Sequence, residues 1–156
     1  MEIEYRRGDI FLAPERALGH GCNARGEMGP ILAKQVKERY PGAYDAYRAM
    51  FESKGLKLGQ IVPWISPDRV ILNMITQDGY GPRGRRYVDY DAVRRAFAMV
   101  ETGAARHIAL RKGFFFDQPR LAIPRIGVGN GGGDWKIISA VIEAEVRSVQ
   151  VVVYSR

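Results

Sequence analysis

The stretch from Leu121 to Trp135 restricts the fold more than any other part of the chain. Leu121, Ile123 and Ile126 read as the end of a buried strand. Glycines then fill positions 127, 129, 131, 132 and 133, and Asp134 opens a helical pattern through Trp135, Ile138, Val141, Ile142 and Val146. A strand that runs through glycines into a helix lets backbone approach an anion closely, with the N–H groups of the helix start directed at it. No Gly-Lys-Ser/Thr follows, so this is not a Walker loop, and the acidic residue of a dinucleotide fingerprint is missing. On these residues alone, a glycine-rich surface turn with Asp134 as a plain N-cap stays open.

A second such junction lies upstream. Ala17–Cys22 reads as a strand of small residues, Asn23–Gly29 as a loop, and Pro30 as a first helical position. Leu32, Ala33, Val36 and Tyr40 then recur at helical spacing, and Tyr44, Ala46, Tyr47 and Phe51 predict a second helix ending near Gly55. Ile3–Arg7 alternates as a strand, and Ile10–Leu12 forms a further apolar run ended before Pro14. Leu58–Ile65 and Val70–Ile75 predict a hairpin about Ser66–Asp68. Thr76–Val88 is a long polar loop, the length that often carries function. Asp89 is expected to cap a helix buried through Val93, Phe97 and Val100, and Val149–Tyr154 to close the chain as a strand. Residues 103–118 read poorly; Ile108, Leu110 and Phe114–Phe116 extend that helix or pack beneath it.

Strands alternating with helices predict a layered α/β domain, with ligands at the carboxyl ends of the strands. A length of 156 residues suits a single domain, 1–156. One cysteine excludes a disulfide framework and fits a reducing cytoplasmic setting. Two histidines argue against a multi-histidine metal site, and no apolar run reaches membrane-spanning length, so neither metal, cofactor nor membrane is expected. The net charge of +7 favours anionic partners without choosing among them. The cluster of Arg83, Arg85 and Arg86 is read as a solvated loop, with nucleic-acid contact as the alternative.

Gly8–Phe11, His20–Asn23, Gly26–Gly29 and Pro124–Gly129 with Trp135 together resemble the macro domain family over nearly the whole chain. They are most similar to the branch holding the terminal ADP-ribose glycohydrolases and the yeast ADP-ribose 1″-phosphate phosphatase. The resemblance implies a three-layer α/β/α sandwich with a mixed central sheet. It also implies recognition of ADP-ribose or a terminal derivative, free or carried on protein; the net charge and the Arg83–Arg86 loop add a hydrolase or binder acting on ADP-ribosylated nucleic acid as an alternative. Asp9, beside the Ile10 backbone, would accept from the adenine amino group, and Tyr154 would flank the ring. Met28, Gly29, Pro30 and Ile31 match the first diphosphate loop; Gly127, Val128, Gly129, Asn130 and Gly131 match the second. Asn23 falls near the distal ribose. Ile31 replaces a glycine of the relatives, and the lysine and aspartate of the terminal glycohydrolases map to Gln77 and Gly131. Glutamine forms no covalent sugar adduct and glycine supplies no acid, so that chemistry is not expected. His20 matches the histidine of the phosphatase-like sequence, which makes it the expected acid/base, with Asn23 positioning. A histidine bonded to neighbouring groups is the alternative, and Cys22 is expected in the core. Hydrolysis of a terminal ADP-ribose derivative is thus the expected function, with the 1″-phosphate first; a reader without turnover is the other.

Overall fold

The computed structural model describes residues 1–29, 31–82, 84–110 and 119–156, with side chains through 103 and again from 119. Pro30, Arg83 and Phe114–Phe116, singled out above, lie outside the described residues.

Six strands form one sheet in the order β1-β6-β5-β2-β4-β3. They are β1 (Glu4–Arg7), β2 (Ala17–Asn23), β3 (Ile61–Ile65), β4 (Val70–Gln77), β5 (Arg120–Ile123) and β6 (Gln150–Ser155). All neighbours run parallel except β3, which returns antiparallel to β4 as the expected hairpin. Between them lie α1 (Ile31–Arg39), α2 (Pro41–Lys54), α3 (Tyr90–Leu110) and α4 (Trp135–Glu145). Among the described residues no helix is long and apolar enough to cross a membrane.

The alternation of strand side chains builds the layers. Val70, Leu72 and Met74 of β4, with Leu121, Ile123, Val151 and Val153, face Val93, Phe97, Ile138 and Ile142 of α3 and α4. The opposite positions, Leu18, Ile71, Ala122 and Val152, meet Val36 and Ala43 of α1 and α2. This is the three-layer α/β/α sandwich with a mixed sheet that the resemblance implies. Asp89 caps α3 by accepting from the Ala92 N–H at 2.9 Å, and Asp134 caps α4 through Lys136 N–H at 2.9 Å.

Two local expectations change. Ile10–Leu12 is a 3-10 turn, because Asp9 accepts from the Phe11 N–H at 3.0 Å and so ends extended backbone after β1. The strand expected from Leu58 begins only at Ile61, because Gly59, at φ 88°, turns the chain just before it.

Candidate functional site

Every parallel strand ends at one edge of the sheet, and there the expected site residues collect. Asp9 follows β1, Asn23 ends β2, Gln77 ends β4, Pro124 follows β5 and Tyr154 closes β6. Two hollows open along this edge. The larger, about 260 Å³, is bordered by Asn23, Glu27, Gln77, Arg125 and both glycine loops. The smaller, about 200 Å³, lies among Asp9, Ile10, Phe11, Gln35, Tyr154 and Arg156. Ile31, Leu32 and Pro124 border both, so the hollows form one crevice pinched at Ile31.

The first loop is held by Asn23. Its Oδ1 accepts from the Arg25 N–H at 2.9 Å, and its Nδ2 donates to the Glu27 carbonyl at 2.6 Å. Tyr47 donates to the Asn23 carbonyl at 2.7 Å from beneath. Met28 is buried against Cys22, Tyr47 and Ile75, which anchors the loop before Gly29. Ile31 then enters α1 at φ 31°, a backbone setting that costs a β-branched residue energy and that glycine adopts freely. Its side chain is 71% exposed and projects where the two hollows meet.

The second loop turns through Gly127 at φ 80° into a 3-10 turn, Gly129–Gly131, that borders the larger hollow. The Gly131 carbonyl accepts from Tyr87 N–H at 2.8 Å and Val88 N–H at 3.0 Å, which ties the 78–88 loop to it. Basic and aromatic residues surround this junction. Arg85 lies over Tyr87, Arg86 over Tyr90, and Arg125 over both Tyr5 and Trp135.

At the smaller hollow, the Phe11 N–H holds the Asp9 carboxyl below the usual carboxylate range, and Arg156 at 3.0 Å adds to this. Tyr154 donates to the Glu15 carboxylate; burial, then that bond, pushes its hydroxyl up to about 12. Its hydroxyl is thus committed away from solvent while the ring borders the hollow.

His20 is not brought to the crevice, which corrects its expected acid/base role. Side chains alternate along β2, so Leu18, His20 and Cys22 point under the sheet toward α2. The parallel register sets His20 beside Asn73, whose Oδ1 lies 2.7 Å from Nε2. Asn73 Nδ2 donates to the Ala43 and Val62 carbonyls at 3.1 and 3.0 Å, which fixes Oδ1 as acceptor and places the imidazole proton on Nε2. Full burial drives the imidazole down to about 4. A neutral ring without access to the crevice neither donates to nor accepts from a ligand there. Burial likewise pushes the Cys22 thiol up, which removes it as a nucleophile.

Gln77 and Gly131 do come together: a Cβ on Gly131 would stand 3.4 Å from Gln77 Oε1. The side-chain amide of Gln77 donates to the Gly79 carbonyl at 2.8 Å. Neither position offers a charge. Glu27, Arg125 and Arg156 border the crevice and escaped the sequence reading. Glu27 sits among the very residues quoted as a motif, and its type was the available signal.

A mixed six-stranded sheet with two glycine loops at the carboxyl ends of its parallel strands is the fold of a macro domain, and this chain has that fold. It is similar to the macrodomain of Thermus aquaticus DarG, with a TM-score of 0.75 and 26% identity over 99% of this chain and 98% of that one. The DNA ADP-ribosyl glycohydrolase of Mycobacterium tuberculosis is 27% identical over 139 residues, 86% of this chain. The match covers 36% of that relative, so the chain spans about a third of its length. The ADP-ribose 1″-phosphate phosphatase of Candida glabrata is 27% identical over 175 residues, 97% of each chain. No family model matches.

Proposed function

We propose that the chain binds ADP-ribose through this crevice and hydrolyses a terminal derivative of it. The observation that carries the reading is the continuity of the two hollows at the carboxyl ends of the parallel strands, between two glycine loops. Adenine occupies the smaller hollow, with its amino group on Asp9 and its face against Tyr154. The diphosphate crosses the pinch between Met28–Ile31 and Gly127–Gly131, held by backbone N–H groups. The distal ribose lies by Asn23 in the larger hollow. The names of the relatives, glycohydrolase and phosphatase, support hydrolysis; the bond each cuts belongs to those proteins.

Titration calorimetry with ADP-ribose tests the binding. Asp9→Ala is expected to weaken it roughly thirtyfold, about 2 kcal/mol for a lost hydrogen bond to a charged group. The hypoxanthine analogue, without the amino group, loses far less on the same substitution. Equal losses for both ligands would remove Asp9 from adenine recognition.

Ile31→Gly is expected to tighten ADP-ribose binding about tenfold, some 1.4 kcal/mol, because it clears the pinch of branched carbons. Its effect on stability is expected to be small. Relief of the positive φ, on the order of 1–2 kcal/mol, is offset by glycine's entropy, up to about 1 kcal/mol. An unchanged dissociation constant would show that Ile31 already stands clear of the diphosphate.

A second reading is favoured by the aromatic–basic rim formed by Arg85, Arg86, Arg125, Tyr87 and Trp135 beside the second loop. That rim suits ADP-ribose attached to nucleic acid better than ADP-ribose on protein, since bases stack on such rings and phosphates meet the guanidinium groups. Nucleic-acid retention that falls steeply with salt, and weakens with Arg85→Ala, is the supporting result. Retention indifferent to salt would dispose of it.

A further inference from the structure

We infer that Glu27 is the general base that cuts the distal end of the bound nucleotide sugar, with the Tyr80 hydroxyl as its positioning group. The inference rests on the ADP-ribose reading above and names the group that does its chemistry. Among the described residues that border the larger hollow, Cys22, Glu27 and Arg125 are the titratable ones. Cys22 is held as a buried thiol, and a guanidinium keeps its proton, so Glu27 alone exchanges protons with a ligand there. Glu27 does not border the Asp9 hollow. It therefore faces the end of the crevice opposite the adenine.

The carboxylate is placed at both ends. Its own carbonyl accepts from Asn23 Nδ2 at 2.6 Å, which fixes the backbone at that point of the loop. Tyr80, carried across by the 78–88 loop, donates its hydroxyl to the carboxylate. The bond to Glu27 raises the Tyr80 pKa, so the phenol stays protonated and remains a donor. The sign of the charge selects the reacting atom. A sugar carbon losing its substituent gains positive charge, which a carboxylate stabilises, whereas the oxyanion of an attacked phosphoryl or acyl group would be repelled.

In the step, Glu27 takes a proton from water as the water oxygen bonds to C1″ of the distal ribose. The bond from C1″ to its substituent breaks, and the electron pair leaves with the substituent. The proton on Glu27 passes to the departing group, or to solvent where that group leaves as a stable anion. The carboxylate is regenerated, and the net change is water added across the C1″ bond. Gln77 and Gly131, uncharged at the same end, border the space for the departing group.

The test uses the full chain, ADP-ribose for binding, and ADP-ribose 1″-phosphate with acetyl, glutamyl and DNA conjugates for turnover. Glu27→Gln is expected to keep ADP-ribose affinity within about threefold while turnover falls about a hundredfold or more. Added formate restores turnover to Glu27→Ala, which a merely structural role would not allow. Tyr80→Phe lowers kcat about tenfold with KM unchanged. In water labelled with oxygen-18, the released phosphate or carboxylate carries no label. Native turnover retained in Glu27→Gln, label in the released acid, or binding without turnover of any conjugate overturns the inference and leaves the binding reading standing. Failure of the native chain to bind ADP-ribose overturns both.

Discussion

Acidification from pH 7 to about pH 4 is expected to remove about 3 kcal/mol of folding stability through His20 alone. The imidazole is fully buried and drawn from 6.5 down to about 4 in the folded chain. Below the unfolded value the unfolded chain binds a proton that the folded chain refuses, so stability rises with pH in this interval. The contribution is complete above about 6.5 and is lost as the pH falls to about 4. The lowered carboxylates Asp9, Asp91 and Glu101 act in the same sense but at lower pH, in the carboxylate range. Urea denaturation of the native chain and of His20→Gln at pH 7, 5.5 and 4.5 separates the two sources. The variant is expected to lose much less on acidification, since the glutamine amide donates to Asn73 Oδ1 at every pH and binds no proton. Parallel slopes in the two proteins would mean that the imidazole is not held neutral by the fold.

That histidine marks where the sequence stops being legible. The order of elements could be read because each apolar pattern fits one period. Val93, Phe97 and Val100 fit only a helix, and Val149–Tyr154 only a buried strand. That Asp9, Asn23 and Tyr154 stand at or near strand ends followed from the same patterns, but the roles expected of them came only from the resemblance to macro domains. His20 stands three residues before the end of β2, on the face shared by Leu18 and Cys22, and its burial followed from alternation once β2 was accepted. Its partner did not. The bond to Asn73 depends on β2 pairing with β4 in one register, and nothing local encodes a pairing between positions so far apart in the chain. The meeting of Glu27 with Tyr80, and of Asp9 with Arg156, is hidden likewise, since loops carry no periodic signal.

Gly132→Ala is expected to lower stability by about 3 kcal/mol, combining the cost of a left-handed setting with overpacking against backbone. Gly132 has φ 69°, and a Cβ there would lie 2.3 Å from the Arg85 carbonyl oxygen, which no side-chain rotation relieves. The glycine run, read at first as one anion clamp, thus divides by physical cause. Gly132 and Gly133 are bare because backbone crosses them, the latter with a Cβ position 2.7 Å from the Gly127 carbonyl oxygen. Gly129 meets nothing within 4 Å and needs glycine only for its φ of 70°. Gly29 meets nothing within 4 Å and has no positive φ, so Gly29→Ala is expected to cost less than about 0.5 kcal/mol. Urea midpoints should therefore rank Gly132→Ala lowest, Gly129→Ala next at about 1 kcal/mol, and Gly29→Ala beside the native chain. Because Arg85 leads directly into Tyr87 and Val88, whose N–H groups hold Gly131, Gly132→Ala also displaces the turn that borders the larger hollow. Its ADP-ribose affinity should fall with its stability. A Gly132→Ala chain as stable as the native one would mean that the 78–88 loop does not pack on the glycine run, and the floor of the crevice would then have another form.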